Sequence, residues 1–207
     1  MEKITKEEIK KLIKIEGKVK GEVFKTDAEY ILTKKGEEGL KRVQKETKKL
    51  GYPIDYQKIN SNGWYPVGLR IVSLLAVMEA FSWGEKEIEN MGKSAPKISY
   101  MVKIFAKFFI SPKRAIETTP RLWPRHYTIG NIKIVDFNER KENQRIKGSC
   151  LIKLRDFKVH PILCIYLKGY FSTIPKMGAE VKKLTIEEIK CPFKGDSFHQ
   201  YSAKWVR

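Results

Sequence analysis

The sequence predicts an α+β domain in which N-terminal helices pack on one face of a four-stranded antiparallel sheet. Apolar residues recur at helical spacing through most of residues 1–122, whereas residues 123–207 contain segments that alternate apolar and polar side chains between turn residues. The second part is therefore predicted to form a hairpin, a helix and a second hairpin. With 207 residues, of which 42% are hydrophobic, the chain is long enough for one well-packed core and short for two. We expect residues 1–207 to form a single domain.

The helical part begins with amphipathic segments that end at glycines. A capping-box pattern at Thr5 starts a helix over residues 5–15. A short amphipathic segment over residues 27–34 follows, and Gly36 separates it from a longer helix over residues 37–50. These three segments are predicted to bury one face each.

The most apolar segments come next. Pro66 is suited to the first turn of a helix over residues 66–83, and residues 98–110 are predicted to form a second buried helix. Between them, one or two helical turns precede a break at residues 92–96, which contain both glycine and proline. A further helical turn is expected from Pro112 to Thr118.

Beyond the prolines at 120 and 124 the hydrophobic period changes to that of strands. The predicted elements are a strand over 128–137, a polar turn over 138–144, a strand over 146–157, a helix over 161–174, a strand over 181–190, a turn over 194–196 and a strand over 198–206. In the last strand, His199, Tyr201, Ala203 and Trp205 lie on one face because side chains alternate.

The charge of the chain indicates anionic partners but does not identify one. The net charge of +18 arises from 42 Lys and Arg against 24 Asp and Glu, which favours association with nucleic acid, an acidic membrane or an acidic protein. The basic residues are dispersed, and the Lys- and Glu-rich composition also fits a thermophilic protein. No helix-turn-helix, zinc-finger or aromatic RNA-binding motif accompanies the charge. The expectation of a nucleic acid or membrane partner therefore rests on net charge alone.

Three further features predict the compartment. The three cysteines cannot form a closed set of disulfides, which favours a reducing environment. Residues 1–14 are strongly charged and lack an apolar core of signal-peptide length. The most apolar run, residues 71–81, is about half as long as a membrane span. We expect a cytoplasmic protein.

Four potential metal ligands lie on one predicted helix and one predicted hairpin, namely Cys164, Glu188, Cys191 and His199. Thiolate, imidazole and carboxylate groups together make a plausible closed tetrahedral zinc set. The spacing lacks a Cys-x-x-Cys pair, so the alternative of buried, inert cysteines and a surface histidine stays open. Cys150 is the remaining thiol, and it lies on the predicted second strand.

A longer motif around these residues resembles the C-terminal signature of the 4-vinyl reductase domain family. The motif runs Cys164-x4-Gly169-Tyr170-x-Ser172, then Glu188-x2-Cys191-x3-Gly195-Asp196-x2-His199-x-Tyr201. The resemblance implies a small-molecule-binding domain related in fold to TRAPP vesicle-tethering subunits and haem nitric-oxide-binding domains. It also implies a zinc ion held by Cys164, Glu188, Cys191 and His199, although His199 stands where the family usually has Cys.

The resemblance further implies a homodimer and a pocket for an apolar or aromatic ligand between the sheet and the helices. The candidates to line it are Trp83, Phe105, Phe109, Trp123, Tyr127, Tyr166 and Tyr170. Ordinary core packing is the alternative for each of these aromatic residues. The histidine and tryptophan that anchor phenol in the family's sensor domains have no counterparts at corresponding spacings here.

Catalysis finds little support. The three histidines, His126, His160 and His199, lie outside any recognisable catalytic motif, and no Gly-x-Gly-x-x-Gly nucleotide loop is present. The preferred hypothesis is a non-enzymatic ligand-binding or sensory domain with a structural zinc, which acts through a protein partner. A TRAPP-like interaction scaffold and a tetrapyrrole vinyl reductase remain alternatives.

Overall fold

The computed structural model describes residues 5–106, 111–142, 145–177 and 181–207. Its helices are α1 (Lys6–Ile13), α2 (Gly21–Lys49), α3 (Val67–Phe81), α4 (Glu85–Ile98), α5 (Tyr100–Ala106), α6 (Pro112–His126) and α7 (Pro161–Phe171). Its strands are β1 (Lys18–Lys20), β2 (Trp64–Pro66), β3 (Asn131–Glu142), β4 (Arg145–Arg155), β5 (Lys183–Lys190) and β6 (His199–Val206). Short 3-10 turns cover Ile174–Lys176 and Pro192–Lys194.

The larger sheet is four-stranded and antiparallel, with strand order β3-β4-β6-β5. The hairpin β3–β4 and the hairpin β5–β6 flank α7 in the chain, and β4 pairs with β6 to join the two hairpins. A separate two-stranded sheet pairs β1 with β2. The α+β class and the hairpin–helix–hairpin arrangement predicted from the sequence are confirmed.

The buried face of β6 is the one that alternation predicts. His199, Tyr201, Ala203 and Trp205 are all buried, and β6 is a central strand with a partner on each edge. One cluster of buried apolar side chains includes members of both the helical part and the sheet. Helix α6 runs through residue 122, where the helical part was expected to end and the sheet-containing part to begin. That residues 1–207 form a single domain stays a prediction.

The break expected at Gly36 appears as one non-helical residue inside α2. Gly36 has φ 66° and ψ −172°, a conformation that residues with a Cβ atom rarely adopt. The chain therefore changes direction there and resumes as a helix at once. The segment predicted to begin at Asp27 begins earlier, at Gly21.

The break expected over residues 92–96 is wrong, because α4 continues through it to Ile98. Gly92 serves close packing rather than helix termination, and Pro96 lies in the last turn of α4. The expected helix over 98–110 begins after a non-helical Ser99, as α5. Its last four residues, including Phe109, lie outside the described ranges.

Two other boundaries differ from prediction. Helix α6 continues from Thr118 to His126 even though it contains Pro120 and Pro124, because its last turns bury Leu122 and Trp123. Residues 138–142 of the segment expected as a turn are strand instead, since β3 extends to Glu142 and pairs with β4, and residues 143–144 lie outside the described ranges. Within the described ranges, no helix combines the length and the apolar character needed to cross a membrane.

Helices α4 and α7 cross with their backbones in contact. A Cβ atom at Gly92 would clash with the carbonyl oxygen of Tyr166, and a Cβ atom at Gly169 would clash with the carbonyl oxygen of Glu89. Each helix thus contributes one glycine to the crossing. This approach holds α7 against the helical layer while its other side faces the sheet.

We predict that Gly169→Ala destabilises the protein by about 1–3 kcal/mol, because the added methyl group would force two helix backbones apart. The melting temperature should fall by roughly 2–4 °C per kcal/mol for a chain of this size, as measured by circular dichroism. Lys97→Ala, at an exposed position of α4, is the matched control and should change it little. An unchanged melting temperature in Gly169→Ala would contradict the close crossing.

Candidate metal centre and internal cavity

The side chains of Cys164, Glu188, Cys191 and His199 meet beside the junction of α7 with the β5–β6 hairpin. One ligand atom from each residue lies within 4.8 Å of all the others. Cys164 comes from α7, Glu188 from β5, Cys191 from the residue after β5, and His199 from the start of β6. The group therefore joins a helix to two neighbouring strands.

The distances within the group fit a tetrahedral ion. The two sulfur atoms of Cys164 and Cys191 are 3.8 Å apart, and the Cys164 Sγ lies 3.8 Å from His199 Nδ1. A tetrahedral zinc with Zn–S bonds of about 2.3 Å separates its sulfur ligands by about 3.8 Å. Glu188 Oε1 lies 2.9 Å from His199 Nδ1, somewhat closer than two zinc ligands lie. The four residues can hold a zinc-sized ion after a small adjustment of Glu188.

Hydrogen bonding orients the imidazole of His199 for this role. Its Nε2 lies 2.9 Å from the carbonyl oxygen of Phe157 and can only donate there. Nδ1 then carries the free lone pair, and it points to the Cys164 and Glu188 atoms. A metal-bound histidine typically donates its second ring nitrogen to a carbonyl in this way.

The turn after β5 positions Cys191. The Cys191 N–H donates to the Asp196 carboxylate at 2.8 Å, and the Cys191 carbonyl accepts from the N–H groups of Lys194 and Asp196. Gly195 has φ 98°, which favours glycine at that place. The motif residues Gly195 and Asp196 thus have a structural role beside the ligand positions.

The thiol of Cys164 is protonated when no cation is bound. Burial, and then the negative charges of Glu188 and Cys191, raise its pKa far above the ordinary value. A bound cation has to displace that proton. Burial raises the pKa of Cys150 to about 12, but this thiol has no part in the cluster.

An internal cavity of about 40 Å³ lies between the helices. Four of the seven aromatic residues proposed for a pocket line it: Trp123, Tyr127, Tyr166 and Tyr170. The rings of Trp123 and Tyr127 stack with centroids 4.6 Å apart. The remainder of the wall includes Val23, Leu122 and Leu167.

The other three candidates lie elsewhere or are not described. Trp83 packs against Tyr30 and Phe81. Phe105 packs beside a small second cluster that contains Val102, and Arg125 lies over its ring. Phe109 lies outside the described residues. Sequence reasoning thus identified the aromatic wall and included residues that pack away from the cavity.

Sequence reasoning missed the charged residues in and beside the cavity. Arg70 lines it at 2% exposure, and its Nε lies 3.4 Å from Oδ2 of the fully buried Asp27. The Tyr166 hydroxyl donates to Asp27 Oδ1 at 2.7 Å, and Arg70 donates through Nη1 to the Tyr127 hydroxyl. The available signal was a single arginine within a helix whose residues are otherwise mostly apolar.

A second polar pair, Glu22 and His126, also lines the cavity. Glu22 accepts from Ser99 Oγ at 2.6 Å and from the Met101 N–H at 3.1 Å, and its second oxygen lies 3.3 Å from His126 Nε2. Burial alone would raise the pKa of Glu22, but these hydrogen bonds bring the pKa below its ordinary value. His126 Nδ1 contacts the Leu122 carbonyl at 3.0 Å, so both ring nitrogens are engaged. His160 instead caps the N-terminus of α7.

Comparison with solved structures finds H-NOX proteins. The S. oneidensis H-NOX protein in its Fe(II)NO state shares 12% identity over 90% of this chain and 98% of that chain, with a TM-score of 0.62. An oxygen-binding H-NOX domain related to soluble guanylate cyclases shares 12% identity over 90% of this chain and 93% of that chain, with a TM-score of 0.57. The Fe(II) unliganded H-NOX protein from K. algicida shares 11% identity over 90% of this chain and 96% of that chain, with a TM-score of 0.54. This likeness establishes the fold.

Comparison of the sequence with protein-family models and with curated proteins finds no match. The H-NOX likeness agrees with the fold relationship that the C-terminal motif implies. Membership of the 4-vinyl reductase domain family stays a proposal.

Haem, whose distortion was probed in one of the matched H-NOX structures, does not fit the described residues of this chain. A site for a drug-sized ligand has a volume of about 300–1,000 Å³, whereas the cavity between these helices has about 40 Å³. The stacked Trp123 and Tyr127 and the buried Arg70 occupy the wall of this cavity and limit its volume. His126 lines the cavity with Nδ1 against the Leu122 carbonyl and Nε2 3.3 Å from a Glu22 oxygen, so an iron could reach Nε2 only by displacing the Glu22 carboxylate.

We predict that hemin added in equal amount to the purified protein leaves its absorption spectrum that of free hemin, because the cavity cannot admit a porphyrin. Visible spectroscopy of the Soret band measures this, and the S. oneidensis H-NOX protein is the positive control. A stoichiometric, shifted Soret band that disappears in His126→Ala would contradict the exclusion of haem.

Proposed function

We propose that this chain is a non-enzymatic small-molecule-binding domain of sensory or regulatory type, stabilised by a structural zinc ion. The observation that carries the proposal is the internal cavity, because it is walled by aromatic and aliphatic side chains and holds a few polar groups. Such composition is typical of small-molecule sites. The fold supports it by analogy, since the H-NOX neighbours include NO-ligated and oxygen-binding proteins.

The zinc proposal rests on the convergence of Cys164, Glu188, Cys191 and His199. A set of four protein ligands leaves no open coordination position, so the ion would hold α7 to the β5–β6 hairpin rather than activate water. Each cysteine and the histidine are buried, which limits exchange of the ion. The metal would therefore contribute directly to the free energy of folding.

The wider proposal follows the family resemblance. A sensory domain of this kind passes its signal to a protein partner, and we propose a cytoplasmic homodimer related to 4-vinyl reductase domains. The cavity ligand is proposed to be a small apolar molecule, because the cavity volume of about 40 Å³ limits its size and the wall is mainly apolar. The high positive charge is available to an anionic partner surface.

We predict about one zinc ion per chain in protein purified without chelators, as measured by elemental mass spectrometry. Cys191→Ser should lose the ion and lower the melting temperature by more than about 5 °C, because the α7–hairpin link is lost. Cys150→Ala removes a buried thiol outside the cluster and should retain the ion. Metal-free wild-type protein with the same melting temperature as Cys191→Ser would end the zinc proposal.

We predict that the cavity admits a small neutral apolar probe. Xenon, followed by 129Xe nuclear magnetic resonance, should bind with one site per chain, as it does in apolar protein cavities. Ala95→Leu adds three carbons at a cavity wall position and should abolish binding, whereas Ala106→Leu, on α5 outside the cavity, should not. If xenon does not bind and native mass spectrometry finds no co-purified molecule, the ligand-binding proposal fails.

A further inference from the structure

We propose that the cavity is a site for a small carboxylate, whose charged end binds Arg70 and whose short apolar end contacts the aliphatic wall. This inference rests on the proposed small-molecule-binding function and names the chemical class of its ligand. The ligand is then not purely apolar, because its carboxylate binds one specific side chain, that of Arg70. Its support comes from the burial, the hydrogen bonding and the size of the site.

Arg70 occupies a place where a charge is costly. It lies on α3, most of whose residues are buried, and its side chain is 2% exposed. A buried charge requires a counter-charge and hydrogen bonds to every donor. A guanidinium at such a position therefore needs an acceptor for each of its N–H groups.

The hydrogen bonding of Arg70 is incomplete among the described residues. A guanidinium has five N–H donors. Nη1 donates to Tyr127, but Nη2 has no hydrogen-bond partner, and Nε approaches Asp27 Oδ2 at 3.4 Å without forming a hydrogen bond. Asp27 Oδ2 also lacks a hydrogen-bond partner. Buried donors without partners are uncommon, and a carboxylate can accept from two guanidinium N–H groups at once.

The charges around the cavity leave Arg70 as the natural anchor. Burial raises the pKa of Asp27 despite the opposing effect of Arg70, so Asp27 is a weakened counter-ion for the guanidinium. Glu22, the acidic residue that lines the cavity, is held by Ser99, Met101 and His126. Burial raises the pKa of Tyr170, which keeps this cavity-lining hydroxyl a neutral donor.

The size of the cavity limits the ligand. A cavity needs about 10–15 Å³ to hold one water molecule. The cavity here, of about 40 Å³, therefore admits a molecule of only a few heavy atoms. Formate, acetate and propionate are in this range. Val23, Leu122 and Leu167 offer aliphatic surface to a methyl or ethyl group.

The test compares carboxylates with their uncharged analogues. Sodium formate, acetate, propionate and butyrate are titrated into zinc-loaded wild-type protein by isothermal calorimetry, at constant ionic strength set with sodium chloride. Acetamide and propionamide are the neutral partners of equal shape. We expect acetate or propionate to bind at one site per chain, and its amide to bind at least about tenfold more weakly, since hydrogen bonds to charged groups are the stronger ones.

Variants separate the anchor from the fold. Asp27→Asn keeps an acceptor for Tyr166 and removes the competing carboxylate, so acetate should bind severalfold more tightly than to wild type. Asp27→Asn combined with Arg70→Met leaves no buried charge in the pair and should weaken binding at least about tenfold. Arg121→Met removes an exposed cation of α6 and is the charge-matched control, with unchanged affinity expected.

Each outcome decides the inference. Carboxylate binding that survives in the double variant would place the anion elsewhere and overturn the assignment. Equal binding of acetate and acetamide would overturn it even if the double variant failed to fold. Xenon binding without carboxylate binding would refute the carboxylate and leave the proposed function standing, whereas the absence of both, with no co-purified molecule, would refute both.

Discussion

The backbone contact between α4 and α7 is the constraint on which both candidate sites depend. Gly92 and Gly169 allow each helix to approach the carbonyl oxygens of the other, and no side chain lies between them at that point. The position of α7 is thereby defined to within the tolerance of backbone packing. A helix held so closely can present residues on two sides with defined geometry.

Helix α7 serves two sites from one short segment. Cys164 reaches the metal cluster at the edge of the sheet, while Tyr166 and Tyr170 form part of the cavity wall. Tyr166 also donates to Asp27 and lies beneath the guanidinium of Arg70, whose Cζ is 4.3 Å from the ring centroid. A metal ion held by the four candidate ligands would therefore stabilise the helix that completes the cavity.

The sequence predicted most of the sheet and the four side chains that converge as candidate metal ligands, because strand periodicity and a spaced motif are local signals. It misjudged Gly92, since a glycine that allows close packing and a glycine that ends a helix look alike in one sequence. It missed the pair of Arg70 and Asp27, because their contact joins two helices and no spacing rule connects them. Among the proposed pocket residues, Trp83 packs elsewhere, since periodicity finds buried aromatics without identifying the cavity they face.

Phe157 contacts residues of both sites. Its ring packs edge-on against Trp123 and Tyr127, at centroid distances of 5.0 and 5.3 Å, and its carbonyl oxygen accepts from His199. Together with α7, it connects the cavity wall to the group of candidate metal ligands. Wherever occupancy of one site alters this wall, thermodynamic linkage requires the change in affinity to be reciprocal. The affinity of the four candidate ligands for a metal ion would then depend on whether the cavity is filled.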